Sequence, residues 1–246
     1  MIATIAAKEL RVLFGLPLAW ITLGVLQGVL AWLFLSQVDA FLGLQAQLAL
    51  LANPPGVTEM VAAPLFGAAA MLLLVVTPVL AMRLIAEERR NHTLPLLLSA
   101  PVSLPAIVLG KFLGLWVFLC LIVILPTLMA LSLHAGGTLD MGLLLANLSG
   151  MVLLAASLAA LGLYFSCLTA HPAVAAISGM GASLGLWLLD LVLKDVGALH
   201  ALSLLLHFER LSRGFLNSAD VAYFLLFTAA FLMLAVRRLD RDRVRG

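Results

Sequence analysis

The stretch FLGLWVFLCLIVILPTLMALSLHAGGTL, Phe112 to Leu139, lies between Lys111 and Asp140 and carries no formal charge. A helical crossing of a bilayer needs about 20 predominantly apolar residues, and lipid offers the backbone no hydrogen-bond partner, so a run of this length reads as a membrane-spanning helix. Its neighbours repeat the pattern. Val12 to Val38 lies between Arg11 and Asp39, and Met60 to Met82 between Glu59 and Arg83. Met141 to Leu189 is too long for one crossing. It divides at Thr169-Ala-His-Pro172, because proline disfavours helical geometry in the preceding residue and cannot donate within a helix. A shorter run from Ala219 to Val236 ends at Arg237-Arg238. The chain thus reads as an all-α integral membrane protein of six transmembrane helices, near 16–37, 61–85, 106–132, 142–168, 173–193 and 219–237, in a single polytopic domain over 1–246.

Composition agrees. Of the 246 residues 64% are hydrophobic and 11% charged, with a mean hydropathy of +1.17, against roughly 45–50% apolar and about 25% charged in soluble domains. Cys120 and Cys167 both fall inside apolar runs and supply neither a disulfide framework nor a CxxC motif. Val38-Asp-Ala40 loosely resembles a cleavage site, but a secretory core is about 7–15 residues, shorter than the run before it. The first span is therefore expected to be retained.

Six spans put both termini on one side, and the positive-inside rule selects the cytoplasm. Lys8, Arg11, Arg83, Arg89, Arg90, Lys111, Arg237, Arg238, Arg241, Arg243 and Arg245 fall on that side, while Lys194, Arg210 and Arg213 fall outside with most of the acidic residues. Ahead of the first span, Lys8, Glu9 and Arg11 segregate from Ile5, Leu10, Val12, Leu13 and Phe14, which predicts an amphipathic helix in the inner interface, stopped near Gly15-Leu-Pro17. Outside, 37–63 is read as a connection with a turn at Asn53-Pro-Pro-Gly56. In 194–219, the stripe Leu199, Leu202, Leu205 and Leu206 and the Glu209/Arg213 pair predict one or two short helices at the outer surface.

Several chemistries are weighed and set aside. Gly110-Lys111 lacks the upstream glycine and following hydroxyl of a phosphate-binding loop. Gly181-Ala-Ser-Leu-Gly185 matches a nucleophile elbow, but Ser183 needs a base within reach, the sixth span has no histidine and His200 lies in the outer loop. These glycines fit close helix packing better, as do Gly24/Gly28 and Gly110/Gly114. His92, His134, His171, His200 and His207 are scattered; His200 and His207 share a face without a further ligand, so no metal site is expected. Asp190, near the end of the fifth span, is expected to reach the interface.

The segment Arg83-Leu-Ile-Ala-Glu-Glu-Arg-Arg-Asn-His-Thr-Leu-Pro-Leu-Leu-Leu-Ser-Ala-Pro101 concentrates the chain's charge. Glu87, Glu88, Arg89 and Arg90 continue from the second span, and Thr93 is placed to cap a short helix bearing Leu94, Leu96, Leu97 and Leu98 before Pro101 ends it. A short amphipathic helix held off the membrane by a charged extension has the shape of a plug for a partner's groove.

Ala86-Glu-Glu-Arg89 followed by Thr93-Leu-Pro-Leu-Leu-Leu-Ser-Ala-Pro101 resembles the ABC-2 type permeases, the membrane subunits of a class of ABC exporters. Lys8-Glu-Leu-Arg11 with Phe14 and Pro17, His207-Phe-Glu-Arg-Leu-Ser-Arg-Gly-Phe215 and Asp220-Val-Ala-Tyr-Phe224 extend the resemblance along most of the chain, nearest to the branch of the gliding-motility-associated permease subunit. Where the family usually has glycine and an acidic residue, this chain has His92 and Pro95.

The resemblance implies a permease in the bacterial cytoplasmic membrane that pairs with a second permease subunit, as homodimer or heterodimer, and docks a cytoplasmic ABC ATPase. ATP and Mg would bind the ATPase, and this chain would hold no cofactor and no ATPase site. Glu87, Glu88, Arg89, Arg90, His92, Thr93, Leu94, Leu97 and Leu98 would form the coupling region, with Leu94, Leu97 and Leu98 in the ATPase groove and a rigid continuation through 83–90. The interfacial helix with Lys8, Glu9 and Arg11 would lie beside it, and His207, Phe208, Glu209 and Arg213 would belong to an outer gate. A periplasmic or envelope accessory protein is a further expected partner, and nucleic acid is not. The alternative is a non-transporting anchor that uses the same ATPase to exert force on an envelope partner.

Overall fold

The computed structural model describes residues 1–48, 50, 55–99, 102–135, 139–192, 202–214 and 217–245, with the backbone alone at 48, 98–99, 190–192 and 244–245. The side chains of Leu98 and Asp190, and His200 as a whole, thus lie outside the described residues. The helices are α1 (Ile2–Gly15), α2 (Pro17–Leu48), α3 (Ala63–Ala81), α4 (Ala86–Arg90), α5 (Leu94–Ser99), α6 (Leu104–Ser132), α7 (Met141–Leu168), α8 (Pro172–Val192), α9 (Leu204–Ser212) and α10 (Ser218–Arg245), with a π turn at Thr58–Ala62 leading into α3. No strand occurs among the described residues, and six helices there are long and apolar enough to cross a membrane: α2, α3 with its flanking turns, α6, α7, α8 and α10.

α7 is the axis of the bundle, packed by α3, α6, α8, α9 and α10. Small residues make this possible, because helices in lipid associate by close backbone approach. Ala155, Ala159 and Ala160 are fully buried on α7, and a Cβ at Gly162 would stand 2.6 Å from the Ala81 Cβ. α2 and α10 lie at the periphery and turn Trp20, Trp32, Leu225 and Leu226 outward, where a bilayer rather than water accommodates them.

Three boundaries differ from the sequence reading. α2 runs on through Asp39 to Leu48, because 38–48 holds no proline and one glycine, and the breakers wait at Asn53-Pro-Pro. α10 continues to Arg245, with Arg238 and Asp242 paired one turn apart at 3.6 Å. α3 stops at Ala81, and residues 82–85 turn before α4 begins, so the continuous extension through 83–90 is absent. The proposed division of the fourth and fifth spans matches the structure: α7 ends at Leu168 and α8 opens on Pro172.

Pro78, inside α3, has no N–H to donate to the carbonyl of Leu74 four residues back. The Ser183 hydroxyl donates to that carbonyl at 3.2 Å and to Met180 O at 3.0 Å. Ser183 therefore repairs a proline gap across the α3–α8 contact, the kind of satisfaction that backbone groups in lipid require.

Candidate functional site: a bonded joint at the terminal end of the bundle

α1 can lie against α6 because α6 offers no side chain where they meet. A Cβ on Gly110 would be 2.6 Å from Ile5 Cβ, and one on Gly114 would be 2.7 Å from Glu9 Cβ. This approach carries Glu9 to Lys111, which is only 2% exposed. The Lys111 Nζ donates to Glu9 Oε1 at 2.9 Å and to Glu88 Oε1 at 2.8 Å. A lysine so deep in an apolar helix is tolerable only when paired, and here the two carboxylates arrive from α1 and α4. Lys8, beside Glu9 at 3.8 Å, is largely exposed, as is Arg11.

The break between α3 and α4 is spliced by Ser166 of α7. Its hydroxyl accepts from the N–H groups of Ile85 (3.1 Å) and Ala86 (3.0 Å), and donates to Met82 O at 3.0 Å. One turn on, the Arg89 guanidinium donates to Cys167 O at 2.8 Å and to the Asp242 carboxylate near the end of α10. Glu87 faces Arg83 at 3.9 Å and Arg90 is exposed. The five-residue α4 is thereby bonded to α6, α7 and α10, and through Lys111 of α6 to Glu9 of α1.

α4 ends in a Schellman turn: Thr93 N–H donates to Glu88 O at 3.0 Å and His92 N–H to Arg89 O at 3.2 Å. His92 sits at the left-handed position of that turn, with φ 56°, where glycine is the residue of least cost. A glycine at this point would therefore have a backbone reason. Thr93 donates its hydroxyl back to Glu88 O at 3.2 Å, fastening the start of α5 to α4. Along α5, Leu94 is buried within this chain, Leu97 is half-buried and Leu96 is 72% exposed. Leu94 was expected in a partner's groove; it faces inward instead, and Leu96 takes the outward position. A cavity of about 210 Å³ separates α1 from α4, lined by Glu9, Leu13, Glu87, Asn91, Thr93 and Lys111 among others. A second, of about 520 Å³, lies between α4 and the α7–α8 turn, with Arg83, Glu87, Arg90 and His171 on its walls.

At the opposite end, the Ser203 hydroxyl caps α9 by accepting from Leu206 N at 3.3 Å. Leu204, His207, Phe208 and Leu211 turn inward. Asp220, 1% exposed, receives His207 Nδ1, and the Arg210 guanidinium stands 3.8 Å away. The His207 ring stacks on Tyr223 at a centroid distance of 3.9 Å, while the Tyr223 hydroxyl donates to Leu202 O at 2.7 Å. Asn147 of α7 donates to Ser212 O at 3.1 Å, closing the other end of α9. Of the four residues placed in the outer gate, His207 and Phe208 are built into the bundle; Glu209 and Arg213 pair at 3.1 Å on its surface.

Residues 3–244 match the family described as ABC-2 family transporter protein. The chain belongs to the ABC-2 transporter family. The match is to the family as a whole and does not single out the gliding-motility branch. No curated protein is similar enough to count as a match. As an ABC-2 protein the chain is a multi-pass membrane permease of an ABC transporter, from a family that normally pairs with a cytoplasmic ABC ATPase, typically lacks an ATPase site of its own and is usually found in the bacterial inner membrane.

Within this ABC-2 permease, sequence reasoning missed Lys111, Ser166 and Asp242 at the joint and Asp220 and Tyr223 at the opposite end of the bundle. Lys111 had a legible signal, a lone cation between the glycines of a small-residue pair. Ser166 had none.

Proposed function

We propose that this permease works in an ABC exporter, paired with a second permease subunit and docked through α4 and α5 to a cytoplasmic ATPase that binds ATP and Mg. Both termini lie in the cytoplasm in this reading, supported by the gathering of α1, α4 and the arginine-rich end of α10 at one end of the bundle. Leu94 anchors α5 to its own subunit, and Leu96 and Leu97 present the apolar surface to the ATPase groove. Closure of the ATPases pushes on α5, and the bonded joint passes the displacement to several spans at once, shifting the balance between closed and open pathways.

The observation that carries this is the attachment of α4 through Lys111, Ser166 and Arg89 to α6, α7 and α10, and by way of Lys111 to α1. A surface loop needs no such anchorage. α9, pinned by Asp220 and Asn147, closes the path at the far end. The test is co-purification of the tagged permease with its ATPase, followed by ATP-driven export from reconstituted vesicles. Wild type should retain the ATPase in equal stoichiometry, and Leu96→Asp should lose it while folding normally, since that side chain is exposed. Undiminished docking in Leu96→Asp would overturn the assignment of α5. Docking without export would favour the anchoring alternative.

A further inference from the structure

α6 and α10 leave a groove of about 410 Å³ between them at the end of the bundle that holds both termini, lined by Val108, Leu109, Ala229, Leu232 and Val236, with Arg237 at one end. From Ala229 to Arg237 the groove follows α10 for about 12 Å, at 1.5 Å per residue. Its walls are almost wholly aliphatic. Arg237 is exposed and makes no ion pair among the described residues, although its neighbour Arg238 shares Asp242 with Arg89. Arg241, one turn further along the same face, is likewise exposed. Asp240 is the nearest carboxylate in sequence, and it too is exposed and engages neither arginine among the described residues.

We propose that this groove is a binding site for one anionic phospholipid, with an acyl chain along α6 and α10 and the phosphate at Arg237. The chemistry fits an amphiphile, because an aliphatic trough two turns long opens on a cation with no counter-charge among the described residues. Basic positions at the mouths of interhelical grooves select anionic headgroups over zwitterionic ones of equal chain length.

The experiment is native mass spectrometry of the full chain in mild detergent, offered phosphatidylglycerol and phosphatidylcholine of matched acyl chains in equal amounts. It needs neither ATPase nor cargo. Wild type should retain phosphatidylglycerol over phosphatidylcholine by about five-fold, the effect of one basic residue at a membrane surface. Arg237→Gln should abolish the preference, Arg237→Lys should keep it, and Ala229→Trp should reduce retention of both lipids by filling the trough. Because Arg237 is exposed, the first two variants do not depend on repacking. Equal retention of the two lipids by wild type, or a preference that survives Arg237→Gln, overturns the proposal. So does efficient cross-linking of Val236→Cys between two copies in membranes, which would give the groove another occupant.

Discussion

Replacing Lys111 by methionine keeps the aliphatic stem and removes the charge that Glu9 and Glu88 share. At separations of 2.9 and 2.8 Å, each contact carries roughly 6 kcal/mol of gross Coulomb attraction at an effective dielectric of about 20. Withdrawing the three charges from water offsets much of this, so the intact cluster adds far less than that sum. Truncation is another matter. It strands two carboxylates on a nearly closed site, Glu9 being 7% exposed, and such a loss costs about 3–5 kcal/mol. Lys111→Met should therefore lower unfolding stability in detergent by about that amount, read from an SDS titration followed by tryptophan fluorescence. Neutralising all three positions, with Glu9→Gln and Glu88→Gln added, should recover most of the loss. The cycle between Lys111→Met and Glu9→Gln should show a coupling energy above about 1.5 kcal/mol, as expected of residues in one network. Additive single effects, or a Lys111→Met protein within about 0.5 kcal/mol of wild type, would refute a paired and buried lysine.

Ser166→Ala removes the hydroxyl that serves Ile85, Ala86 and Met82; it should cost about 1–3 kcal/mol and broaden the distance distribution between spin labels on α3 and α4, and an unchanged distribution would count against the splice. His92→Gly relieves a left-handed φ of 56° and should raise the thermal midpoint through a gain of about 1 kcal/mol, whereas a lower midpoint would contradict that backbone assignment. Gly114→Ala places a methyl 2.7 Å from Glu9 Cβ; a cost of about 1–3 kcal/mol and faster proteolysis of α1 are expected, and an α1 as protected as in wild type would argue against the close approach. Ser183→Ala should lose about 1–2 kcal/mol by leaving Leu74 O without its donor, with no hydrolytic activity to lose; abolition of a measurable hydrolysis would restore the nucleophile reading.

The spans were legible because apolar length between charges is a one-dimensional signal. Helix ends are set by different chemistry. α2 passes through Asp39 to Leu48 and α10 through Arg237 to Arg245 because no proline or glycine cap intervenes, so a polar residue ends the membrane crossing without ending the helix. The residues of α4 and α5 were legible as a charge-rich segment, but their partners within the chain were not. Glu9 lies 102 positions from Lys111, and Asp242 lies 153 from Arg89. No local pattern links them. The orientation of α5 was hidden for another reason: a six-residue helix has too few turns for periodicity to say which leucine faces in.

In the coupling proposed above, the break at 82–85 changes how force would travel. A helix continuous from α3 into α4 would carry a push along one axis into one span. With the chain turned at Met82–Ile85, α4 would move as a short lever whose connections are the Lys111 cluster, the Ser166 hydroxyl and the Arg89 bonds to α7 and α10. In that reading, displacement at α5 would reach α1, α6, α7 and α10 together, in proportion to how firmly each bond holds. Variants of the joint and variants of the docking surface should accordingly separate in the export assay. Lys111→Met and Ser166→Ala should keep the ATPase bound and hydrolysing while export falls, because the lever still receives the push and no longer passes it on. Leu96→Asp should lose the ATPase itself. A joint variant that sheds the ATPase as readily as Leu96→Asp would mean that these bonds shape the docking surface rather than transmit from it.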